Sequence, residues 1–314
     1  MPKINLCLLA GGFGGEKEVS LKSAQTVLSA LDKNKYNITQ YDPAADLAAF
    51  VNDLLEGKFD LIFPILHGPF GEDGKIQGLL DIFKAPYVFS GTRASAVAMN
   101  KQVSKLIAAK AGLVTAPDFY LQQGEEFDLT EIINKLGLPI VVKPVELGSS
   151  VGMTIAKNKE ELEQGIITGF KYDNNLILEK FIKGRELTVP VWGNENPEAM
   201  PIIEIIPKVS EWFDYKAKYE VGGSEEVCPA EISDSVCIRI QESALKIFKA
   251  IGCYDLARVD FIWSEVEDKL YFLEINTIPG MTETSLVPQS AKAMGMEFSE
   301  FLDKLIKLAL DRQK

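Results

Sequence analysis

Short apolar runs separated by amphipathic stretches open the chain and predict an open α/β sheet. Residues 4–10 are continuously apolar, which is typical of a strand buried in a parallel sheet. A glycine-rich turn at 11–15 leads into a pattern that predicts a helix of about 16 residues from Glu18. Apolar runs at 36–41 and 59–66 predict two more strands, so strand and helix alternate as in α/β proteins.

The pattern beyond residue 96 predicts two further units, with no internal repeat. We therefore expect three domains, at 1–96, 97–182 and 183–314. The second unit is predicted to contain helices at 100–111 and 159–169, strands at 139–143 and 176–180, and a glycine-serine loop at 146–152. The third is predicted to contain strands at 186–192 and 201–206, a polar aromatic loop at 210–224, a helix at 234–251, a β-hairpin and a helix at 298–312.

The predicted hairpin carries polar side chains on otherwise apolar strands. Arg258 and Asp260 precede a turn at 265–269, and Glu274 and Asn276 follow it. Alternate strand residues share a face, and in one register Asp260 lies opposite Glu274 and Arg258 opposite Asn276. Carboxylate and amide oxygens suit Mg²⁺, which typically acts beside substrate phosphates. The alternative is a surface hairpin with solvated charges, but polar residues among apolar ones need a reason to be there.

Residues 143–152 offer the chemical groups of a phosphate cradle. Lys143 ends a predicted strand, and the following loop supplies backbone N–H groups and the hydroxyls of Ser149 and Ser150. The GxxxxGK[ST] pattern occurs nowhere in the chain, which excludes a P-loop NTPase. A glycine-serine loop alone is usually only a turn, but together with Lys101 and the acidic hairpin it predicts a nucleotide site.

The strand at 176–180 ends in groups that suit a nucleoside. Glu179 and Lys180 lie at a predicted domain junction, where exposed backbone could read an adenine edge. Phe181 could cover the face of the ring, and Glu186 could accept hydrogen bonds from ribose hydroxyls. Without the phosphate loop, a core position would be the better interpretation of Phe181.

The glycine-rich turn at 11–15 differs from a dinucleotide-binding loop. Lys17 stands where GxGxxG needs its last glycine. We expect that no acidic residue occupies the position about 20 residues on, at the end of the second strand, where a dinucleotide site has its ribose partner. NAD is therefore disfavoured. A helix N-terminus still attracts anions, and Glu16 beside it could hold an ammonium, so a zwitterionic amino acid would satisfy both.

Two loops add candidate groups. His67, the single histidine, follows an apolar strand within a glycine-rich loop at 67–74, where a neutral imidazole could hydrogen-bond a substrate. A lone histidine is more often structural. Residues 212–223 mix aromatic side chains with lysines and end in two glycines, which predicts a lid that excludes water. An ordinary surface loop or a nucleic-acid patch is the alternative.

Charge and cysteine content narrow the class of protein. The 314 residues carry 45 acidic and 33 basic side chains, for a formal charge of −12. This argues against duplex nucleic acid or an anionic membrane as a partner, although clustered lysines can still bind a phosphate ligand.

Four scattered cysteines without CxxC spacing favour buried thiols in a reducing cytosol. We expect neither a signal peptide nor a membrane span.

These stretches together resemble the D-alanine–D-alanine ligases of the ATP-grasp superfamily, in the family's order and over nearly the whole chain. The matching stretches are GGFGGEKEVSLKSA at 11–24, LHGPFGEDGKIQG at 66–78, MNK at 99–101, VVKPVELGSSVGM at 141–153, LEKFIKGRELTV at 178–189, FDYKAKY at 213–219, ARVDF at 257–261 and FLEINTIPGMTETSLVP at 272–288. The resemblance implies an α/β ATP-grasp fold with an N-terminal open parallel sheet and two domains that clamp ATP.

The resemblance also implies a reaction. ATP would phosphorylate the carboxylate of a first D-alanine. The amine of a second would attack the acyl phosphate to give D-alanyl-D-alanine, ADP and phosphate for peptidoglycan synthesis. Glu16 would bind the first ammonium, His67 would assist near the first carboxylate, and Ser149 would link Glu16 to Tyr219 in the lid. Tyr219 favours an amine as the second substrate.

Further roles are implied for the remaining candidates. The ligands of two Mg²⁺ or Mn²⁺ ions would be Asp260, Glu274 and Asn276, with Glu274 bridging. The nucleotide contacts would be Lys101, Lys143, Ser150, Glu179, Lys180, Phe181, Glu186 and Lys218. Arg258 and the Gly280 amide would stabilise the tetrahedral oxyanion, typically worth about 3–4 kcal/mol. Ser285 and Leu286 would hold the second D-alanine.

One departure and several alternatives accompany this prediction. Gly14 stands where the family usually has a serine two positions before the glutamate, which affects the contacts expected around the first substrate but not Glu16. D-Serine or D-lactate as second substrate is the nearest alternative. A non-catalytic ATP-binding module has no need of an oxyanion arginine, and an NAD dehydrogenase fails on glycine spacing. The resemblance further implies a cytoplasmic homodimer.

Overall fold

Three β-sheets with helices packed against them position the candidate residues. The structure is a computed structural model that describes residues 2–208 and 222–312. The strands are β1 (Ile4–Ala10), β2 (Tyr36–Tyr41), β3 (Leu61–Ile65), β4 (Val114–Thr115), β5 (Asp118–Gln122), β6 (Ile140–Pro144), β7 (Thr154–Ala156), β8 (Asn175–Lys180), β9 (Arg185–Trp192), β10 (Glu198–Ala199), β11 (Ile203–Pro207), β12 (Ser224–Val227), β13 (Leu256–Ser264) and β14 (Lys269–Asn276). The helices are α1 (Lys17–Ala30), α2 (Pro43–Leu55), α3 (Lys75–Ile82), α4 (Thr92–Met99), α5 (Lys101–Lys110), α6 (Leu129–Leu136), α7 (Lys159–Gly169), α8 (Asp234–Ile251), α9 (Leu286–Ala293) and α10 (Phe298–Arg312).

The first sheet is parallel, as the apolar runs predicted. Its strand order is β2-β1-β3, with Leu6 aligned between Ile38 and Leu61. The first helix begins at Lys17, one residue earlier than predicted, and it spans 14 residues. The carboxyl ends of β1 and β3 lie at the same edge, so the glycine-rich turn and the His67 loop start side by side.

An acidic residue does follow the second strand, which corrects the sequence-based expectation. The Asp42 carboxylate accepts a hydrogen bond from the Gly12 N–H at 2.9 Å and pairs with Lys17 Nζ at 2.8 Å. A Cβ at Gly11 would come within 2.6 Å of Asp42 Cγ. The carboxylate therefore lies against the glycine-rich turn, and the argument against NAD now rests on the glycine spacing alone.

The second and third sheets hold the remaining strands. The second is antiparallel with order β5-β8-β6-β7, and the third has order β12-β11-β9-β13-β14-β4 with β10 beside β9. Strand β4 pairs in parallel with β14 at Tyr271 and Phe272, although its residues precede the second sheet in sequence. The division into three domains at 96 and 182 stays a prediction.

Most predicted elements are present, but five of the described helices were not predicted: α2, α3, α4, α6 and α9. The helices at 159–169, 234–251 and 298–312 are confirmed. The helix predicted at 100–111 is α5, and Asn100 caps it by accepting the Val103 N–H at 3.0 Å. Helix α4 precedes it and was missed because its sequence, TRASAVAM, has small residues and weak apolar periodicity.

The hairpin register is confirmed. Asp260 lies opposite Glu274 and Arg258 opposite Asn276, with a register shift between Asp260 and Phe261. The predicted turn at 265–269 joins the two strands. The four polar residues therefore share one face, as the period of a strand requires.

The last helix ties the first sheet to the third. Phe301 on α10 stacks on Trp192 with ring centroids 6.1 Å apart. Arg312 donates to the Phe89 carbonyl at 2.9 Å and pairs with the fully buried Asp255 at 3.3 Å. These contacts fix the edge at which the candidate site lies.

The predictions about membrane spans and cysteines can be compared with the described part of the chain. None of its helices combines the length and apolarity needed to cross a bilayer. All four cysteines are free. Cys7 and Cys253 are buried, but Cys228 and Cys237 are only half-buried, so the prediction of buried thiols is right for two of them.

Candidate active site

Two adjoining cavities collect most of the predicted residues. The first has a volume of about 250 Å³ and lies where the first sheet meets the hairpin. The predicted residues that line it are Glu16, His67, Lys101, Ser149, Arg258, Glu274, Asn276, Gly280, Ser285 and Leu286. The second has a volume of about 130 Å³ and lies between the second sheet and the hairpin. The predicted residues that line it are Lys101, Lys143, Ser149, Ser150, Glu179, Lys180, Phe181, Glu186 and Glu274.

Glu16 and Ser149 join the glycine-rich turn to the glycine-serine loop. The Ser149 hydroxyl donates a short hydrogen bond to Glu16 Oε1. A Cβ at Gly68 would lie 2.6 Å from Glu16 Oε2, so glycine at this position, with φ of 72°, leaves room for the carboxylate. Ser149 and Ser150 both have positive φ, 52° and 59°, a conformation that non-glycine residues adopt only when it is held by their surroundings.

His67 is a buried, neutral imidazole. Its Nδ1 lies 3.2 Å from the Ile278 carbonyl oxygen, so Nδ1 carries the proton, and its Nε2 lies 3.5 Å from Ser23 Oγ. Burial lowers the pKa of the ring below its usual value, although the nearby Glu16 acts in the opposite direction. Both ring nitrogens face protein groups, which leaves His67 suited to hydrogen bonding and to shaping the cavity.

The hairpin presents Arg258 to the first cavity and keeps Asp260 behind it. Arg258 Nε and Nη2 donate to the two oxygens of Asp260 at 2.9 and 2.8 Å. Thr188 Oγ1 donates a further short hydrogen bond to Asp260. Asp260 is buried and lines neither cavity, whereas Arg258 lines the first and keeps Nη1 for a ligand. Burial acts to lower the pKa of Arg258, but Asp260 raises it overall, so the guanidinium is always charged.

Gly280 and Ser285 lie together at the start of α9. A Cβ at Gly280 would lie 2.8 Å from Ser285 Oγ, so only glycine leaves its backbone open to the cavity. The Ser285 hydroxyl is oriented by the Thr282 N–H at 3.0 Å and the Thr282 hydroxyl at 2.7 Å. With Leu286 as the first helical residue, this helix terminus offers a hydroxyl and N–H groups to a carboxylate.

The wall of the second cavity contains a buried cluster of charges that sequence reasoning missed in part. Glu179 pairs with Lys143 Nζ at 2.6 Å and accepts a short hydrogen bond from Lys105 Nζ. Lys105 also reaches Asp118 at 2.6 Å and the Ala116 carbonyl at 2.9 Å. Burial acts to raise the pKa of Glu179, but Lys143 and Lys105 lower it to about 2. Lys105 was not singled out in sequence, and its burial depends on partners from other elements.

Two backbone N–H groups beside the second cavity already have partners, and the adenine contact stays a prediction for the rest of this backbone. The N–H groups of Lys180 and Phe181 donate to the carbonyls of Pro117 and Pro139, at 2.9 and 3.1 Å. They are used by the fold and are not open to read an adenine edge. The Phe181 ring still lines the cavity and Lys180 is exposed at its mouth.

Lys101 connects the two cavities. Its ammonium donates a short hydrogen bond to the Leu147 carbonyl and lies 3.9 Å from Glu274 Oε2. Burial acts to lower the pKa of Lys143 across the second cavity, but Glu179 raises it above its usual value. Two lysines therefore line the same cavity as the glycine-serine loop, where they can contact a polyphosphate.

The comparisons with known proteins agree with this geometry. The family model described as "D-ala D-ala ligase C-terminus" matches residues 107–307, and "D-ala D-ala ligase N-terminus" matches residues 41–90. A D-alanine–D-alanine ligase from Syntrophobacter fumaroxidans is 47% identical over 310 residues, which covers 98% of each chain. The chain belongs to the D-alanine–D-alanine ligase family.

Solved structures of the family have the same fold. The D-alanine–D-alanine ligase from Bacillus anthracis complexed with ATP matches with a TM-score of 0.85 at 32% identity, covering 99% of this chain and 98% of that one. The VanG D-Ala:D-Ser ligase from Enterococcus faecalis matches with a TM-score of 0.83 at 31% identity, covering 98% and 100%. The fold alone therefore does not distinguish the second amino acid within this family.

Not every predicted residue of this family member can be placed, and several lining residues were missed, among them the charged Lys22, Glu72 and Glu226. Lys218 and Tyr219, with most of the predicted lid, lie outside the described residues. Glu72 lines the first cavity but was not singled out in sequence. The only available signal was an acid in the loop that also contains His67, and nothing local shows which way such a side chain points.

Proposed function

We propose that the two cavities together carry out the family's reaction, the ATP-dependent ligation of two D-alanines to D-alanyl-D-alanine for peptidoglycan synthesis. ATP phosphorylates the first carboxylate, the second amine attacks the acyl phosphate, and the tetrahedral species releases phosphate. The observation that carries this proposal is the shared wall. Lys101, Ser149 and Glu274 line both cavities, so a phosphoryl group bound in one faces a carboxylate bound in the other.

The first cavity accommodates the amino acids. Glu16, oriented by Ser149, binds the first ammonium, and His67 lies beside the same substrate as a neutral hydrogen-bonding group. Arg258 Nη1 and the Gly280 N–H stabilise the negative charge that develops on the attacked carbonyl. Ser285 and Leu286 bind the second carboxylate at the helix terminus.

The second cavity accommodates ATP. Phe181 covers the adenine, Glu186 faces the ribose, and Glu179 holds Lys143 in place at its side. Lys101, Lys143 and the Ser150 hydroxyl contact the phosphates, with Lys218 from the segment outside the described residues. The family resemblance assigns Tyr219, also outside the described residues, the preference for an amine over a hydroxyl as second substrate.

The hairpin has suitable donors for Mg²⁺ or Mn²⁺. Asp260, Glu274 and Asn276 supply the hard oxygens that such ions prefer. The described residues hold no cluster of three His, Cys, Asp or Glu side chains that could bind a metal, so the Asn276 amide and phosphate oxygens must complete the set. A bound ion neutralises charge on the phosphates. Glu274→Gln should weaken the binding of Mn²⁺ in the presence of ADP, measured by the electron paramagnetic resonance of the ion. Glu283→Gln, at an exposed acid, should not weaken it.

Substrate-dependent ADP release tests the function directly. ADP and product should be measured with D-alanine, D-serine, D-lactate and L-alanine, singly and paired with D-alanine. We expect D-alanine alone to give ADP and D-alanyl-D-alanine in equal amounts. A mixed D-alanyl-D-serine product formed in preference to the homodipeptide would favour the D-serine alternative. No ADP with any of them would overturn the proposal. A cytoplasmic location and a homodimer complete the proposal and are tested by fractionation and by light scattering.

A further inference from the structure

Glu72 places a carboxylate in the amino-acid cavity. One oxygen accepts the Gly68 N–H at 2.6 Å, and the side chain lines the cavity with Glu16, Arg258 and Ser285. No salt bridge to Glu72 occurs within residues 2–208 and 222–312. The Gly68 contact fixes the side chain in the His67 loop, where the carboxylate lines the cavity.

The reaction needs a proton acceptor at this place. The second amino acid arrives as an ammonium, which has no lone pair for attack. Two protons must leave its nitrogen before the amide is complete, the first before the C–N bond forms. An acceptor must lie in the cavity, near the second substrate and away from the first ammonium.

Two other acids line this cavity: Glu226 accepts from Ser224 Oγ at 2.6 Å, and Glu274 is a proposed metal ligand. Three further candidate acceptors also have other partners. His67 donates from Nδ1 to Ile278 and directs Nε2 at Ser23. Asp260 is held by Arg258 and Thr188. Glu16 accepts from Ser149 and is the proposed partner of the first ammonium.

We propose that Glu72 accepts the proton of the second amino acid's ammonium and so generates the attacking amine. The proposal rests on the ligase function above. The N–H bond breaks and a carboxyl O–H forms on Glu72. The amine lone pair then forms the C–N bond, and the C–O bond to phosphate breaks as the tetrahedral species collapses. The second proton leaves with the departing phosphate, and Glu72 returns its proton to water through the open cavity.

The electrostatic surroundings are consistent with this role. Burial, and then the nearby Glu16, raise the pKa of Glu72 to about 8, while Arg258 acts to lower it. The groups that face it are Glu16 from the start of α1, Arg258 from β13 and neutral His67 from its own loop. An arriving ammonium adds an attractive charge, which favours the ionised carboxylate when it is needed. General bases contribute most when their pKa lies near the working pH.

The test separates amine activation from acyl phosphate formation. Full-length Glu72→Gln should lose about 10²–10⁴-fold in kcat for dipeptide formation. With hydroxylamine as the nucleophile, which needs no base at neutral pH, D-alanine hydroxamate should form within about twofold of the wild-type rate. Glu18→Gln, an exposed acid on α1, is the matched control.

A pH profile adds a readout that a structural role would not move. Dipeptide formation by the wild-type chain should fall on the acidic side as Glu72 becomes protonated, and Glu72→Asp should keep that limb at a lower rate. Glu72→Gln should instead gain rate steadily toward high pH as free amine appears. Wild-type dipeptide rates in Glu72→Gln, or equal losses of dipeptide and hydroxamate, would overturn the assignment. A wild-type chain that releases no ADP with D-alanine would overturn the ligase function itself, and this inference with it.

Discussion

The two cavities differ in whether their buried carboxylate has a counter-ion within the protein. Around the nucleotide cavity, Glu179 lies between Lys105 and Lys143, so its buried charge is balanced within the protein. In the amino-acid cavity, Glu72 forms no salt bridge with any described residue, and burial raises its pKa to about 8 whereas that of Glu179 is lowered to about 2. The first arrangement is complete without a ligand, and the second is completed by an ammonium. We expect the first to govern stability and the second to govern chemistry.

The largest expected effect is on stability at Glu179. Glu179→Ala leaves Lys105 and Lys143 buried without their shared counter-ion, so the free energy of unfolding should fall by about 3–5 kcal/mol. Urea unfolding at pH 7 measures this. Glu225→Ala removes an exposed pair with Lys208, at 2.6 Å, and should change stability little. Equal losses in the two variants would show that the buried cluster is not special.

The second effect is on chemistry at Arg258. Arg258→Lys keeps a positive charge beside Asp260. It removes the guanidinium, which can bind Asp260 through Nε and Nη2 and still offer Nη1 to the oxyanion. We expect kcat to fall about 10²–10³-fold, equivalent to about 3–4 kcal/mol of transition-state stabilisation. The melting temperature should change much less than in Glu179→Ala. A variant that loses stability in proportion to activity would break the contrast between the two cavities.

The hairpin and Glu72 show what sequence could and could not reveal. The register that places Asp260 opposite Glu274 follows from a two-residue period and a recognisable turn, both local properties. Other contacts depend on which distant elements pack around a side chain. Examples are the pairing of Lys105 with Glu179 and the burial of Glu72 without a salt bridge to a described residue. Burial of a charge is a tertiary property, and no spacing in the chain encodes it. The same reason explains why Asp42 was overlooked, because its role depends on the turn into which it folds back.

The contributions of Glu72 and Glu179 to folding stability should change in opposite directions with pH, which is a smaller effect. The pKa of Glu72 is raised from an ordinary 4.5 to about 8. The folded state therefore holds its proton more tightly, and this contribution to stability is lost as pH rises through 8. Glu72→Gln should be more stable than wild type at pH 9, on the order of 1 kcal/mol or about 2–4 °C in Tm, with no difference near pH 4.5.

The control and the contrary outcome for this pH effect are specific. The neighbours that titrate or carry charge, Glu16, His67 and Arg258, remain in both proteins, so only Glu72 differs. The exposed Glu18→Gln should show no such slope. A stability difference that is constant from pH 5 to pH 9 would mean that Glu72 is not held protonated by burial. Glu179 should behave in the opposite sense, since its pKa is lowered from 4.5 to about 2 and its contribution is lost as pH falls.

The smallest expected effect concerns Gly14, where the family usually has a serine. Its φ is not in the left-handed region, and an added Cβ would meet the His67 carbonyl oxygen at 3.8 Å and the Glu16 nitrogen at 3.9 Å, which are ordinary contacts. Gly14→Ser should therefore fold normally and change the KM for the first D-alanine by less than about threefold, or roughly 0.7 kcal/mol. Steady-state kinetics at saturating ATP measures this. A larger change would mean that the glycine adjusts the position of Glu16, and that the open charges of this cavity depend on the turn as well as on Ser149.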